Sequence, residues 1–358
     1  KSPRAIETLR YFFEDIPELK VIAAGSLLDF TLTESKLSMP VGRIQYGYLQ
    51  PATFTEFLSA IDQAKLGNII KNYELKKSIN PAVHEELLKY YRIYMFVGGM
   101  PEAVKTWAKK KKSQFVSEVH QSILSTYRDD FGKYASGNEL LRLQKIFDQF
   151  PSNLGRKIKY SKLAPEEQAR DIRKIVDILV KARILHKVHH SNCSGLPLSA
   201  QIDDFVYKIY FLDVGLMGAN LDLDLETLVN NDKTSLAEGI LVEQSIFQNI
   251  KAAVFDREMQ VYYWLRETKQ HNAEVDFVIS HKGNIIPIEI KSGKSGSLRS
   301  LHQFIVEKKS QTAIRFDANL PSVQDIKHSV VTASGTKEIK FSLISLPCYL
   351  AEEIWRLI

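Results

Sequence analysis

The sequence predicts an α/β protein with an α-helical middle, and three observations lead to that prediction. Residues 20–24 form a short apolar run of strand character, residues 61–128 are mainly helical in pattern, and residues 260–346 alternate between strand and helix patterns. With 358 residues, the chain is also long for one hydrophobic core, so two or three domains are expected.

The first element is the run KVIAA at residues 20–24, which ends abruptly in Gly25 and Ser26. An apolar, partly β-branched run of this length predicts a buried strand whose tip presents a small polar residue. Ligands of open α/β sheets bind at such tips. Further along the chain, Pro51 and Thr53 mark the start of a helix.

Residues 61–128 predict an all-α connector with one interruption. Gly98 and Gly99 predict a turn, and Pro101 suits the first position of the following helix. Four consecutive lysines occupy residues 109–112. Such a run is typical of a solvated helix face, and a basic binding patch is the alternative.

Three predicted helical pieces and two apolar segments follow, at residues 140–150, 165–168, 172–185, 184–188 and 205–212. Three helices followed by a two-stranded wing favour a winged helix, a fold that places one helix in a DNA groove. Folds of this kind also serve as protein-packing modules, and the sequence leaves both interpretations open.

On the winged-helix interpretation, residues 171–183 form the recognition helix. This helix lies within residues 156–187, where basic residues outnumber acidic ones. The side chains available to DNA phosphates and bases would be those of Arg173, Lys174, Lys181 and Arg183.

The last part of the chain predicts a mixed sheet flanked by helices. The predicted helices are residues 236–251 and 298–308, and the predicted strands are residues 260–265, 274–279, 285–291, 312–316 and 340–346.

Within this part, a hairpin carries the strongest chemical signal. Lys282 and Gly283 form a two-residue turn, which fixes the register of the flanking strands. That register sets Asp276 opposite Glu289, and Glu274 opposite Lys291, with all four side chains on one face. The other face is predicted to be apolar and buried, and it carries Val275, Phe277, Ile279, Ile286, Ile288 and Ile290.

Two carboxylates directly opposite each other on a solvent-exposed face would destabilise the hairpin by up to about 1 kcal/mol. A divalent cation would reverse the sign, because Asp276 and Glu289 can bind Mg²⁺ through oxygen while Lys291 stabilises a phosphate or orients water. This is the pattern of metal-dependent nucleases. Short ExK triplets are common, however, and Pro287 allows a register slip of one residue.

Composition narrows the class of protein. The net charge is +6 and the apolar fraction is 44%. The sequence contains no apolar run near the roughly 20 residues that a membrane-spanning helix needs. Cys193 and Cys348 are far apart and outside any metal-ligand spacing, which predicts free thiols and a cytoplasmic location.

Gly293-Lys294-Ser295 resembles the end of a phosphate-binding loop, but Ile288 stands where that motif requires glycine.

Several segments together resemble one family: AAA-superfamily P-loop ATPases of uncharacterised bacterial and archaeal type, with a C-terminal winged helix and PD-(D/E)XK nuclease-like domain. The segments that carry the resemblance are Gly25-Ser26, Gly42-Arg43 followed by residues 49–57, residues 98–102 (GGMPE), residues 208–216 (KIYFLDVGL), and residues 274–276 (EVD) with 289–293 (EIKSG).

The resemblance implies four segments: the end of a P-loop ATPase domain at 1–60, a helical connector at 61–135, a winged helix at 136–220, and a restriction-endonuclease-like domain at 221–358. It also implies that the full-length protein binds ATP and Mg²⁺, with the phosphate-binding loop upstream of this chain. DNA is the expected partner, and self-association is a further possibility.

The resemblance also assigns roles to individual residues. Ser26 is similar to a sensor of the γ-phosphate, and Arg43 to an arginine that contacts triphosphate. A helix cap is the alternative role for Ser26, and a surface salt bridge is the alternative for Arg43. Glu243 would be the outer acidic residue of the nuclease-like site, and Gln303 a phosphate contact.

Three functions remain open at this level. The first is an ATP-driven switch acting on DNA, the second is a Mg²⁺-dependent nuclease, and the third is a non-catalytic protein-interaction module.

Overall fold

An eight-stranded mixed sheet forms the centre of the computed structural model, which describes residues 5–24, 42–230, 236–267, 272–293, 296–332 and 335–358. The strands are β1 Leu185–Ser191, β2 Ile202–Phe211, β3 Tyr262–Arg266, β4 Ala273–His281, β5 Asn284–Ile290, β6 Thr312–Asp317, β7 Ser322–Thr332 and β8 Gly335–Pro347. Their order across the sheet is β2-β1-β3-β4-β5-β6-β8-β7. The predicted α/β class is confirmed.

Helices lie before the sheet in the chain, between its strands and after the last strand. They are α1 Ala5–Asp15, α2 Phe54–Ala60, α3 Ala64–Lys71, α4 Pro81–Val97, α5 Pro101–Lys110, α6 Ser113–Asp130, α7 Gly137–Gln149, α8 Tyr160–Leu163, α9 Ala169–Lys181, α10 Val214–Asn220, α11 Leu225–Asn230, α12 Leu236–Ala252, α13 Arg299–Lys308 and α14 Ile354–Leu357. The predicted all-α stretch after residue 61 is therefore confirmed.

The start of α2 follows from the local sequence. The Thr53 side chain accepts a hydrogen bond from the Glu56 backbone N–H, and the Glu56 side chain accepts one from the Thr53 N–H. This reciprocal capping box satisfies two of the donors that a helix start leaves free. The helix start expected from Pro51 and Thr53 is thus confirmed.

The predicted strand at residues 20–24 is wrong. These residues are in coil, and the Ile22 side chain is 96% exposed. A strand needs hydrogen bonds from a neighbouring strand, whereas the sheet in the described part of the chain is built from residues 185–347. An apolar run without a pairing partner gains no stability from the extended form.

Two details of the predicted helices also differ. The piece predicted at residues 165–168 is a turn, and the short helix there is α8, five residues earlier. The predicted recognition helix starts at Ala169 and ends at Lys181, because Arg183 adopts a positive φ of 60° that ends the helical conformation.

The turn between α4 and α5, which contains Gly98 and Gly99, contacts two other segments of the chain. The Gly99 N–H donates to the Asp213 carboxylate over 2.6 Å, and Asp213 also caps α10 through the Leu216 N–H at 3.0 Å. A Cβ atom on Gly99 would lie 2.3 Å from the Ala52 carbonyl oxygen. Glycine is therefore required here by close packing of three backbone segments.

Helix α12 packs on the sheet through aromatic side chains. The rings of Phe247 and Tyr210 are stacked with centroids 4.5 Å apart, and Phe277 lies 5.9 Å from Phe247. These contacts place α12 beside both β2 and β4. As a result, one face of α12 lies next to the hairpin residues that were predicted to bind a cation.

Candidate carboxylate and lysine site

The β4–β5 hairpin has the predicted turn and the predicted register. Lys282 and Gly283 both have positive φ, 46° and 76°, as a tight two-residue hairpin turn requires. The ladder runs from the pair His281 and Asn284 to the pair Phe277 and Ile288 without a shift at Pro287. Continued by one pair, it sets Asp276 opposite Glu289, as predicted.

Asp276 lies against the partner strand. Its Oδ2 atom accepts a hydrogen bond from the Ile290 N–H over 2.7 Å. Glu289 is only 5% exposed, and its Oε1 atom accepts from the Lys291 Nζ atom over 2.6 Å. The prediction that these three side chains come together is confirmed.

The second predicted pair, Glu274 with Lys291, lies beyond the paired residues of the hairpin, whose ladder ends at Phe277 and Ile288, and it stays a prediction. Glu274 accepts from the ammonium group of Lys208, whose Nζ atom is 2.6 Å away. The β3–β4 ladder is irregular in this region, since Tyr262 pairs with Val278 but Trp264 pairs with Val275. The resulting bulge includes Asp276 and Phe277 on β4.

The same bulge divides the predicted apolar face. Phe277 and Ile279 pack in the main core, whereas Val275 packs in a separate cluster with Trp264 and Phe304. All three hairpin residues are fully buried, so the prediction of burial is confirmed and the prediction of one uniform face is wrong. A bulge exchanges the faces to which successive side chains point.

Glu243 on α12 completes the group, as the resemblance implied. Its Oε1 atom accepts from the Lys208 Nζ atom over 3.2 Å and from the Tyr210 hydroxyl. We call the resulting group the carboxylate cluster, and it comprises Glu243, Glu274, Asp276, Glu289, Lys208 and Lys291. Its members come from β2, β4, the end of β5 and α12.

The carboxylate cluster contains four acidic groups and two ammonium groups. Burial raises the pKa of Asp276 well above its ordinary value, and the neighbouring Glu289 and Glu243 raise it further. Burial also raises the pKa of Glu289, although Lys291 and Lys208 oppose that shift. The site therefore favours taking up positive charge, either as a proton or as a cation.

Of the two ammonium groups in the carboxylate cluster, that of Lys208 is the more deeply buried. The residue is 1% exposed, and burial alone would lower its pKa. The carboxylates of Glu243, Glu274 and Asp276 overcome that effect and raise the pKa of Lys208 above its ordinary value. The ammonium group is consequently charged at neutral pH.

One carboxylate oxygen in the cluster is unsatisfied. The Oε2 atom of Glu289 is buried and has no hydrogen-bond partner in the described chain. An orphaned carboxylate oxygen among other carboxylates fits a hard cation such as Mg²⁺, which binds oxygen and commonly takes one or two protein carboxylates while keeping several waters.

The described residues hold no preassembled group of three or more His, Cys, Asp or Glu side chains at metal-binding separation. Asp276 and Glu289 are the pair that would hold the ion, with Glu243 beside them. Glu243 binds Lys208 and Tyr210 through its Oε1 atom.

Gln303 lies on α13, whose Ser300 hydroxyl accepts a hydrogen bond from the Glu274 N–H over 3.3 Å. Its side-chain amide donates to Glu307 over 2.8 Å, and Glu307 in turn pairs with Arg266. The described hydrogen bond of Gln303 is thus a local contact along its own helix, and the predicted phosphate contact stays a prediction.

The four basic residues predicted to contact DNA are mostly engaged within the chain. Arg173 lies over the Phe205 ring at 4.4 Å, Lys174 pairs with Glu139 at 2.7 Å, and Arg183 pairs with Glu258 at 3.3 Å. Lys181 is exposed at the end of α9. The buried face of α9 consists of Ile172, Ile175, Val176 and Leu179, so Lys174 and Lys181 point away from the core.

The predicted nucleotide contacts belong to the first part of the chain. Ser26 lies outside the described residues. Arg43 lies in a turn, and its guanidinium is 2.7 Å from the Glu14 carboxylate. This contact is the surface salt bridge that the sequence left open as the alternative role of Arg43.

Lys208 and Tyr210 are the residues that sequence reasoning missed. The signal was present, because Lys208 stands in the otherwise apolar run YKIYF of β2. Lysine is almost never fully buried unless an acidic partner pairs with it. A charged residue inside a core strand therefore predicts a nearby carboxylate, although it does not say which one.

Both cysteines are free and buried, as expected. Burial raises the pKa of Cys193 to about 11 and that of Cys348 to about 12, which keeps both as unreactive thiols. Within the part of the chain that the structure describes, none of the helices combines the length and apolarity needed to cross a bilayer.

The fold and site thus define an α/β protein with a buried carboxylate cluster at the edge of a β-hairpin. Two family models match the chain: a domain of unknown function, DUF8612, over residues 88–227, and a second, DUF4143, over residues 238–349. The second domain is often found with AAA ATPases. Comparison with curated proteins and with solved structures gave no match.

Proposed function

We propose that the carboxylate cluster is a Mg²⁺-dependent phosphodiesterase site of the PD-(D/E)XK nuclease type, carried in the full-length protein by an AAA-superfamily ATPase that acts on DNA. The observation that carries this proposal is the buried Asp276 and Glu289 pair with the unsatisfied Glu289 Oε2 atom and Lys291 alongside. A carboxylate oxygen without a protein partner is available to a hard cation.

Each residue of the cluster has a distinct role in this proposal. Asp276 and Glu289 hold the cation, which when bound supplies a Lewis acid for a phosphate oxygen. Lys291 orients the attacking water or stabilises charge on the phosphate, while its contact with Glu289 fixes its position. Ile290 holds Asp276 in place through its backbone N–H.

The test is cleavage of single-stranded and duplex DNA by this chain with Mg²⁺ or Mn²⁺, together with Mn²⁺ binding by calorimetry. Asp276→Asn and Glu289→Gln should each abolish cleavage and weaken Mn²⁺ binding by about tenfold or more. Asp325→Asn, a change of the same chemistry at an exposed site on β7, is the matched control. Unchanged cleavage and Mn²⁺ affinity in both cluster variants would refute the proposal.

A second candidate is DNA binding by α9 without cleavage. The observation that favours it is the outward-facing basic side of α9, where the side chains of Arg170 and Lys174 are 84% and 69% exposed. Phosphate contacts would make the logarithm of DNA affinity fall with the logarithm of salt concentration, by nearly one unit of slope per contact. A flat salt dependence would favour a protein partner, which is the third function left open.

The ATPase part of the proposal is supported by the family that matches residues 238–349. Its test requires the full-length protein. ATP should be hydrolysed and should change DNA affinity, and the absence of both effects would remove the ATP-driven switch.

A further inference from the structure

A cavity of about 330 Å³ lies between β1 and β3, away from the residues of the carboxylate cluster. These two parallel strands pair only through His190 and Tyr263. The cavity is lined by the earlier residues of β1, by the loop before β3, and by the end of α12. Its polar lining residues are Lys181, Arg183, His186, Lys187, His189, Lys251 and Gln260, with Glu258.

Positive charge predominates in this cavity. Glu258 is shared by Lys251, at 3.1 Å, and Arg183, at 3.3 Å. Lys187 pairs with Asp177 on α9. Four cationic side chains thus face two carboxylates, and Lys181 stands exposed at the mouth.

In two buried lining residues, His186 and Lys251, the charged form is disfavoured. Burial lowers the pKa of His186 well below its ordinary value, and the nearby Lys251 and Arg183 lower it further. Burial likewise lowers the pKa of Lys251, although Glu258 opposes that shift. An anion in the cavity would relieve both effects.

One lining residue, His189, has a buried polar atom without a partner in the described chain. The Nδ1 atom of His189 is buried and lacks a hydrogen-bond partner within the described chain. Beside it, Val180, Val188, Phe247 and Val261 form an apolar part of the wall. A ligand that fits would therefore combine an anionic group with an apolar or aromatic one.

We propose that this cavity binds a phosphate monoester attached to a nucleoside, either as a free nucleotide or as the phosphorylated end of a nucleic acid strand. Arg183 can bind phosphate oxygens through two parallel N–H groups, and Lys251 and Lys181 add point charges. A volume of about 330 Å³ is at the lower end for small-molecule sites and admits one nucleotide rather than a duplex. This site is independent of the proposed phosphodiesterase site.

The experiment is calorimetric titration of the chain at low ionic strength with four probes: inorganic phosphate, AMP, an oligonucleotide with a 5′-phosphate, and the same oligonucleotide with a 5′-hydroxyl. AMP or the phosphorylated oligonucleotide should bind. Lys251→Met, which keeps the apolar stem, should weaken that binding by about tenfold. Lys71→Met, at an exposed lysine of α3 outside the cavity, should leave it unchanged.

Lys181→Gln covers the case in which Lys251→Met does not fold, because Lys181 is exposed and its loss leaves no buried charge unpaired. It should also weaken binding while Lys71→Met does not. Binding of AMP supports a free nucleotide, and binding of only the phosphorylated oligonucleotide supports a strand end. Absence of binding by every probe, equal binding of the two oligonucleotides without AMP binding, or equal effects of Lys181→Gln and Lys71→Met would overturn the proposal.

Discussion

The Lys208 ammonium group lies 2.6 Å from the Glu274 carboxylate and so joins β2 to β4, although β1 and β3 stand between these strands in the sheet. Lys208 also lies 3.2 Å from Glu243 of α12. One buried side chain therefore connects the hairpin that follows α9 with the strand that carries Asp276.

Lys208→Met should destabilise the protein by about 3–5 kcal/mol, because it leaves Glu243 and Glu274 without their buried cation. Urea denaturation followed by circular dichroism measures the loss. Lys340→Met removes a lysine that is 65% exposed and should change stability by less than about 0.5 kcal/mol. If the ion pair is the cause, Lys208→Met with Glu274→Gln should cost less than the sum of the single changes. Equal stability of Lys208→Met and the unaltered chain would contradict the assignment.

Because of Glu352, the free energy of unfolding should fall as the pH rises from 4.5 to about 7. Its carboxylate accepts from the Thr55 N–H at 3.0 Å and from the Thr55 hydroxyl at 3.1 Å, and burial raises its pKa from 4.5 to about 7. Between these two values the folded state retains a proton that the unfolded chain has lost. The stability contribution of the protonated group is therefore complete below pH 4.5 and declines up to about pH 7, by on the order of 3 kcal/mol.

Glu352→Gln should flatten that decline, since glutamine stays neutral and can still accept from the Thr55 N–H. Thermal unfolding between pH 4.5 and 8 measures the effect. Glu86→Gln, an exposed change on α4, is the control and should keep the slope of the unaltered chain. A slope that persists in Glu352→Gln would assign the pH dependence to another group.

Gly99→Ala should destabilise the protein by about 3 kcal/mol, because the new Cβ atom would meet the backbone oxygen and nitrogen of Ala52 at 2.3 and 2.6 Å. Backbone atoms cannot move aside as a flexible side chain can. Gly132→Ala is the matched control, since nothing lies within 4 Å of its added Cβ atom. Chemical denaturation of both variants compares them, and similar losses would show that close packing at Gly99 is not the cause.

The hairpin that carries Asp276 and Glu289 was predictable from sequence because its determinants are local. A two-residue turn and alternating side chains fix which residues face each other. The capping box at Thr53 and the helix start at Pro101 are local in the same sense. In each case the residues that decide the conformation lie within a few positions of one another.

The features that the sequence did not predict depend on contacts between distant parts of the chain. Residues 20–24 have the composition of a strand, but pairing with another strand decides whether a strand forms. The β3–β4 bulge and the Lys208 contact with Glu274 depend on how distant segments meet in the sheet. Glu243 was reached only through the family resemblance, since a lone glutamate on a helix gives no signal of its own.

Asp276→Asn should stabilise the chain in the presence of a metal chelator, by about 1 kcal/mol, because it removes a buried carboxyl group that must either take up a proton or stay charged next to Glu289 and Glu243. Asparagine keeps an oxygen that can accept from the Ile290 N–H, so the hydrogen bond at 2.7 Å is retained.

With Mn²⁺ present, the unaltered chain should be more stable than Asp276→Asn. A cation that binds only the folded state stabilises it in proportion to its affinity, and the variant binds the cation less tightly. Thermal unfolding with and without Mn²⁺ measures both effects, with Asp325→Asn as the control that should follow the unaltered chain under both conditions. If Asp276→Asn is less stable than the unaltered chain in chelator, the carboxyl group of Asp276 itself stabilises the fold, and the cluster is built for structure rather than for binding a cation.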